Sequence, residues 1–213
     1  RILEKFLSTK GAGNLWVMEL LDPKSAAETG MEKLREAGFT KPEQARAELL
    51  LLANGPEGAP HTRDVAAQFA AVTPSLLAAF AALPGPENGL MRLGQIIGRL
   101  HSPGTLYELL RVNPGLCRCL ATLIANSEYL CSILVRDISL LDLVGSPSAL
   151  AEASTRESLR GELAALDGAA LPEAAPFRLR DGEMLKVSMR ELMLGISVAD
   201  VGDELTLLAE VIL

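Results

Sequence analysis

Side chains able to do chemistry are few in this chain, and their spacing sets most of them against catalysis. Asp200, Asp203 and Glu204 gather where the last helix is expected to start, and Asp181 and Glu183 are similarly placed near the start of the helix before it. Paired carboxylates can hold the metal ions of phosphoryl or nucleotidyl transfer, so one reading is a small helical enzyme using Asp200, Asp203 and Glu204 with a metal. At a helix N-terminus, however, carboxylates offset the helix dipole, and that role is preferred. A Gly-Ser pair followed by Asp-x-Asp, the usual nucleotidyl-transfer signature, occurs nowhere in the sequence. No His, Cys, Asp and Glu cluster has metal-ligand spacing. His61 and His101 each lie beside a proline-bearing turn and read as structural or solvated. The GAGN stretch at Gly11 is too short for a phosphate loop and counts as a turn. Gly94 and Gly98, one helical turn apart, read as permitting close helix packing. No catalytic, cofactor-binding or metal-ligating residue is therefore expected.

One polar set remains, on the segment FRLRDGEMLKVSMRELMLG. Lys186 and Arg190 are i, i+4 and share a face, with Glu183 one turn before Lys186 and with Arg178 and Arg180 just upstream. These charges either decorate a solvated face or form a basic edge offered to another domain. On the second reading Arg178, Arg180, Lys186 and Arg190 are candidate interdomain or regulatory contacts, and removing Lys186 or Arg190 leaves folding nearly intact.

The elements that position these residues are helices. Hydrophobic residues make up 49% of the 213, yet aromatics only 4%, so the core is built from Leu, Ala, Val and Ile. Strand-like runs are absent and Leu and Ala favour helix, which implies an all-α fold. The block His101 to Leu150 states one two-helix phrase twice: at an offset of 24 residues, Leu106 falls on Leu130, Leu109 on Ile133, Leu110 on Leu134 and Leu116 on Leu140. The first three pairs have the i, i+3, i+4 spacing of one helix face, so both copies are expected to bury the same stripe. Two copies are fewer than a solenoid needs, which favours an irregular multi-helix bundle with a duplicated helix-pair unit.

Helix starts are marked by Thr73-Pro74, Ser102-Pro103, Asn113-Pro114 and Ser146-Pro147, each a capping oxygen before a proline at the first helical position. Thr40 with Glu43 and Ser154 with Glu157 have capping-box spacing. Helices are expected near 25–37, 41–54, 62–72, 74–83, 87–100, 103–112, 114–125, 127–136, 138–144, 155–166, 177–195 and 201–213. Residues 54–61, with two Gly and two Pro, must form a loop. The expected organisation is a connecting segment or end of a preceding domain at 1–24, a helical domain at 25–166, a linker at 167–176 and a helix pair at 177–213.

A formal charge of −7, from 27 acidic and 20 basic side chains, argues against a nucleic-acid surface. No apolar run approaches the ~18 residues that span a membrane, and no signal peptide is visible, so no membrane partner is expected. Cys117 and Cys119 point to different faces of one helix; with Cys131 they read as buried small hydrophobes of a protein in the reducing cytoplasm. Arg1 is not an initiator, so the chain is expected to be cut from a longer protein.

Three phrases carry a family resemblance. LREAGFTKPEQARAELLLL (Leu34 to Leu52), the duplicated block from Ser102 to Val144, and RLRDGEMLKVSMRELMLGISVADVGDELTLLAEVIL (Arg178 to Leu213) resemble, in order, the central helical region of bacterial glutamine synthetase adenylyltransferase/adenylyl-removing enzymes. The third phrase departs from the family in having fewer arginines, with Lys186 in place of one and Glu191 where Asp is common. The resemblance implies a whole protein that transfers AMP from ATP, with Mg2+, to a tyrosine of glutamine synthetase and removes it by phosphorolysis. It implies that two nucleotidyltransferase domains flank this segment, which itself connects and regulates without catalysing. It further implies partners in glutamine synthetase and a PII-type signal protein, and a response to glutamine. An independent helical-repeat protein-interaction module is the alternative, resting on the 24-residue echo alone.

Overall fold

The computed structural model describes residues 15–144, 150–167 and 174–213. The turn at Gly11, most of the connecting segment 1–24, the helix start at Ser146-Pro147 and most of the linker 167–176 lie outside the described residues. Those that are described form twelve α-helices and one 3-10 turn, with no strand among them, so the fold is all-α. The chain divides into two compact units, one ending at Cys131 and one beginning at Ser132. That division falls inside a helix, Glu128–Arg136, whereas the sequence reading draws its boundary at the 167–176 stretch.

The first unit contains α1 (Leu15–Leu20), α2 (Glu28–Glu36), α3 (Pro42–Asn54), α4 (Arg63–Ala81), α5 (Pro86–Ile97), α6 (Pro103–Val112), α7 (Pro114–Asn126) and the start of α8 (Glu128–Arg136). The centre of this unit is α4, on which α1, α3, α5, α6 and α7 all pack. It starts where the Thr62 side chain accepts the Val65 amide and buries Phe69, Val72, Leu76, Leu77 and Phe80. The helix is continuous through Pro74, so the break expected at Thr73-Pro74 does not occur. A proline inside a helix removes one backbone donor. Here the fully buried Thr73 hydroxyl donates to the Phe69 carbonyl at 2.7 Å, and the helices packed on α4 hold the rod together. Joining the two segments also makes α4 the one helix among the described residues long and apolar enough to cross a membrane, which corrects the expectation that none is. Half of that stretch is buried in the unit, as in the core helix of a globular fold. At Gly89 α5 reaches α4 closely; a Cβ there would lie 2.5 Å from the Phe80 ring.

Long side chains complete the helix ends. Arg46 on α3 donates to the carbonyls of Leu20 (3.2 Å), Asp22 (2.9 Å) and Ser25 (2.7 Å), satisfying the C-terminal end of α1 and the turn after it. Arg92 on α5 does the same for Ile124 and Ala125 at the end of α7. The capping box expected at Thr40 and Glu43 is replaced: the buried Glu87 carboxylate accepts the Lys41 amide at 2.8 Å and the Thr40 hydroxyl at 3.2 Å, while Glu43 pairs with Arg35. Burial works against the Glu87 carboxylate, but these hydrogen bonds outweigh it and hold its pKa below the usual value. Asn113 caps α7 through the Leu116 amide, as its Asn-Pro pair predicts.

The duplicated stripe is largely buried. Leu106, Leu110, Leu116, Leu130, Ile133 and Leu134 lie in the core, but Leu109 is only half-buried, and so is Leu140. The second copy also ends differently. Instead of a helix over 138–144, a 3-10 turn (Ile138–Leu140) capped by Asp137 leads into the single-turn α9 (Leu141–Val144).

In the second unit α10 (Arg156–Asp167), α11 (Ala175–Leu194) and α12 (Val198–Ile212) pack together around Leu159, Leu179 and Leu208. The cap of α10 is one residue later than expected: Thr155 and Ser158 each accept the other's backbone amide, at 2.9 and 3.1 Å. Gly195, at φ 67, ends α11, a left-handed conformation glycine adopts without strain. Immediately after it Ser197 and Asp200 form a capping box, so α12 begins at Val198 rather than near 201.

Candidate functional site

Of the sequence's polar candidates, those on α11 come closest to a site. A cleft of about 590 Å³ in the second unit is bordered by the 3-10 turn, α9, α10 and α11, and its polar lining includes Asp137, Glu162, Arg178, Glu183 and Lys186. Helical spacing puts Arg178, Gly182 and Lys186 on one side of α11, and Gly182 keeps the wall low against Leu140.

Several of the charges in this cleft are engaged by neighbours. Arg178 donates from Nε and Nη2 to Asp137 Oδ2, both at 3.3 Å. Burial disfavours the Asp137 carboxylate, but hydrogen bonds from Ser139 and the Arg178 charge prevail and its pKa is lowered. Lys186 Nζ donates to Ser154 Oγ at 2.8 Å, and the Ser154 hydroxyl in turn serves Glu183. Burial nonetheless pushes the Glu183 carboxyl up, with Ser154, Lys186 and Arg190 opposing and Glu162 assisting. Glu183 is thus a buried acid held by a lysine through a serine, a group that spacing alone presents as an exposed partner of Lys186.

The remaining basic candidates go elsewhere. Arg180 donates to Asp181 Oδ1 (2.8 Å from Nη2) and lies over the Phe177 ring, its guanidinium carbon 5.4 Å from the ring centre. Asp181 also accepts from Arg136 at 2.7 Å. Arg190 is no surface residue: its side chain is 9% exposed and pairs with Glu204, 11% exposed, at 3.2 Å, while Nη1 reaches the Leu150 carbonyl at 3.4 Å. Placing Arg190 on a solvated edge, removable without harm to folding, is therefore corrected; it clamps α11 to α12. Only partner chemistry across the helix turn creates this burial, and i, i+4 spacing carries no sign of it.

The acidic trio is dispersed by the same contacts. Asp200 is spent in the capping box, Glu204 in the pair with Arg190, and Asp203 is exposed. Among the described residues no three His, Cys, Asp or Glu side chains converge on a metal-sized point. Cys117, Cys119 and Cys131 are free and buried, and burial pushes the Cys117 thiol up to about 12 and Cys119 to about 11, which keeps both unreactive. In the cleft, Arg178 is thus tied to Asp137 and Lys186 to Ser154.

No family model matches the chain. Relatives do. It is 26% identical over 172 residues to the bifunctional glutamine synthetase adenylyltransferase/adenylyl-removing enzyme of Mesorhizobium japonicum, covering 80% of this chain and 17% of that protein. The enzymes of the same name from Shewanella woodyi and Rhizobium meliloti are 29% and 24% identical over 66% and 78% of the chain, covering 15% and 16% of their own lengths. The resemblance is at the level of a family, and the chain spans about a sixth of the length of the curated relatives it matches.

Proposed function

We propose that this chain is a non-catalytic connecting and regulatory helical segment of a bifunctional enzyme that adenylylates and deadenylylates glutamine synthetase. The observation that carries the reading is the match itself: up to 80% of this chain corresponds to only 15–17% of enzymes so named. The dispersal of Asp200, Asp203 and Glu204 into a cap, solvent and an ion pair supports a segment without its own metal site. Those residues do not fit Mg-ATP, so ATP and Mg2+ belong to nucleotidyltransferase domains elsewhere in the longer protein. On this reading the protein is cytoplasmic, and its partners are those adjoining domains, glutamine synthetase and a PII-type signal protein. Arg178 and Arg180, about half exposed, and the cleft-lining Lys186 are the contacts offered to a neighbour. Charged groups at such a surface set orientation more than raw affinity. Arg190 holds their helix in place from inside.

A segment exchange tests this. The matching residues of the Shewanella woodyi enzyme are replaced by this chain, and AMP transfer and removal are both assayed. Both activities are expected to survive, with an altered response to glutamine or the signal protein. A well-folded chimera that has lost both activities overturns the connecting role. In the same chimera, Arg178→Ala and Lys186→Ala are expected to change the effector response and leave basal transfer unaltered.

A further inference from the structure

A groove of about 760 Å³ in the first unit rests on no part of the functional reading above. It runs between α1 and α4, bordered also by Ala53 and Asn54 of α3. On one side α4 lines it with a ridge of small residues, Ala66, Ala67, Ala70 and Ala71; on the other stand Val17, Met18 and Leu21. Ala67 and Ala71 are exposed, and Met18 is 60% exposed. Glu19, Asp22 and Arg63 also line the groove, and none of the three forms an ion pair with a described residue.

The sequence joined to α1 complements this groove. Residues 1–14 read RILEKFLSTKGAGN and directly precede Leu15. Ile2, Leu3, Phe6 and Leu7 fall at i, i+1, i+4 and i+5, which on a helix is one face, and the four alanines of α4 repeat that spacing. Large side chains set against small ones let two helices interlock closely. Arg1, Lys5 and Lys10 outnumber Glu4, so the segment is basic where Glu19 and Asp22 make the α1 side of the groove acidic. The tether from Ser8 to Asn14 contains Gly11 and Gly13 and falls within the roughly 2–8 residues that join neighbouring helices. So short a tether holds the segment at an effective concentration on the order of millimolar, which an untethered partner must outcompete.

We propose that the α1–α4 groove seats residues 2–7 of this same chain, folded back along α1 as a short helix with Ile2, Leu3, Phe6 and Leu7 on the alanine ridge. Met18 is then covered by the segment instead of facing water. A helix this short is marginal by itself, isolated helices needing about 12–15 residues in water. The alanine ridge stabilises it by removing its apolar face from solvent.

The test is NMR of the 213-residue chain with labelled methionine and alanine methyls, in the presence of a soluble gadolinium chelate that relaxes whatever it can approach. With the groove open, Met18 at 60% exposed should be relaxed more than Met91 at 37%. With residues 2–7 seated the order reverses, and the Ala67 and Ala71 methyls are shielded as well. Phe6→Asp/Leu7→Asp unseats the segment and should restore the order that exposure dictates. Ala71→Glu, made at an exposed position of α4 and so away from the core, should do the same from the groove's side. A Met18 methyl relaxed more than Met91 in the parent overturns the proposal. So does shielding that survives Phe6→Asp/Leu7→Asp, which gives the groove another occupant, and shielding lost when the parent is diluted, which makes that occupant a second copy.

Discussion

Arg190→Met isolates the energetics of the α11–α12 clamp. The methionine keeps an unbranched apolar stem in place of the arginine's, so packing survives while the guanidinium is lost. Glu204 then remains 11% exposed with no cation, and its Oε2 already lacks a partner. Removing one member of a buried pair costs roughly 3–5 kcal/mol, because the surviving charge stays desolvated. A domain's whole stability is about 5–15 kcal/mol, so the loss is a large fraction of it. The double variant Arg190→Met/Glu204→Met removes both charges and should return to within about 1 kcal/mol of the parent. The single Trp16 and both tyrosines, Tyr107 and Tyr129, precede Ser132, so aromatic fluorescence reports on the first unit only. The assay is therefore amide hydrogen exchange of α11 and α12 as a function of urea, which resolves the second unit by itself. An Arg190→Met variant within about 0.5 kcal/mol of the parent, the range of ordinary surface changes, refutes the clamp and returns Arg190 to a solvated edge.

In the first unit, Leu110→Ala should cost roughly 2–5 kcal/mol and Leu109→Ala clearly less, since only Leu110 is fully buried; urea unfolding followed by Trp16 fluorescence checks the order, and equal costs would show the register to be wrong. Tyr107→Phe leaves the Leu52 carbonyl without the phenol that donates to it at 2.7 Å, and should cost about 1–3 kcal/mol by the same measurement. Alkaline pH should unfold this unit. Burial raises Cys117 from 9.0 to about 12, Cys119 from 9.0 to about 11 and Tyr107 above its ordinary 10.0, so the folded state holds protons the unfolded state releases. Their contribution is fully present below pH 9.0 and is lost as pH rises through about 11 and 12. Unfolding midpoints at a series of pH values should fall across that window, more gently in a Cys117→Ala/Cys119→Ala variant; a flat profile contradicts the burial of these groups.

Local chemistry made much of this fold legible. Leu and Ala content, Asn113-Pro114 as a helix start and the burial of Leu106 and Leu110, though not of Leu109 between them, read as they stand in the structure, because capping and periodicity act over four residues or fewer. What escaped depends on distant partners. Thr73-Pro74 reads as a helix start, yet burial on α4 carries the helix through it. Thr40 and Glu43 fit a capping box, but Glu87, 46 residues from Lys41, takes over that end of α3. The Ser197–Asp200 box was within reach of the capping rule, since both residues sit just past Gly195. On α11, spacing shows which charges share a helix and nothing of what they meet: Lys186 finds Ser154, 32 residues away, and Arg190 finds Glu204.

AMP transfer by the full-length gene product is the most direct measurement of the proposed function. Purified glutamine synthetase is incubated with labelled ATP and Mg2+, once with that product and once with these 213 residues alone. The full-length protein should label glutamine synthetase and remove the label by phosphorolysis, while the 213-residue chain should do neither. Labelling by the chain alone, or none by the full-length product, contradicts a non-catalytic segment of an adenylyltransferase.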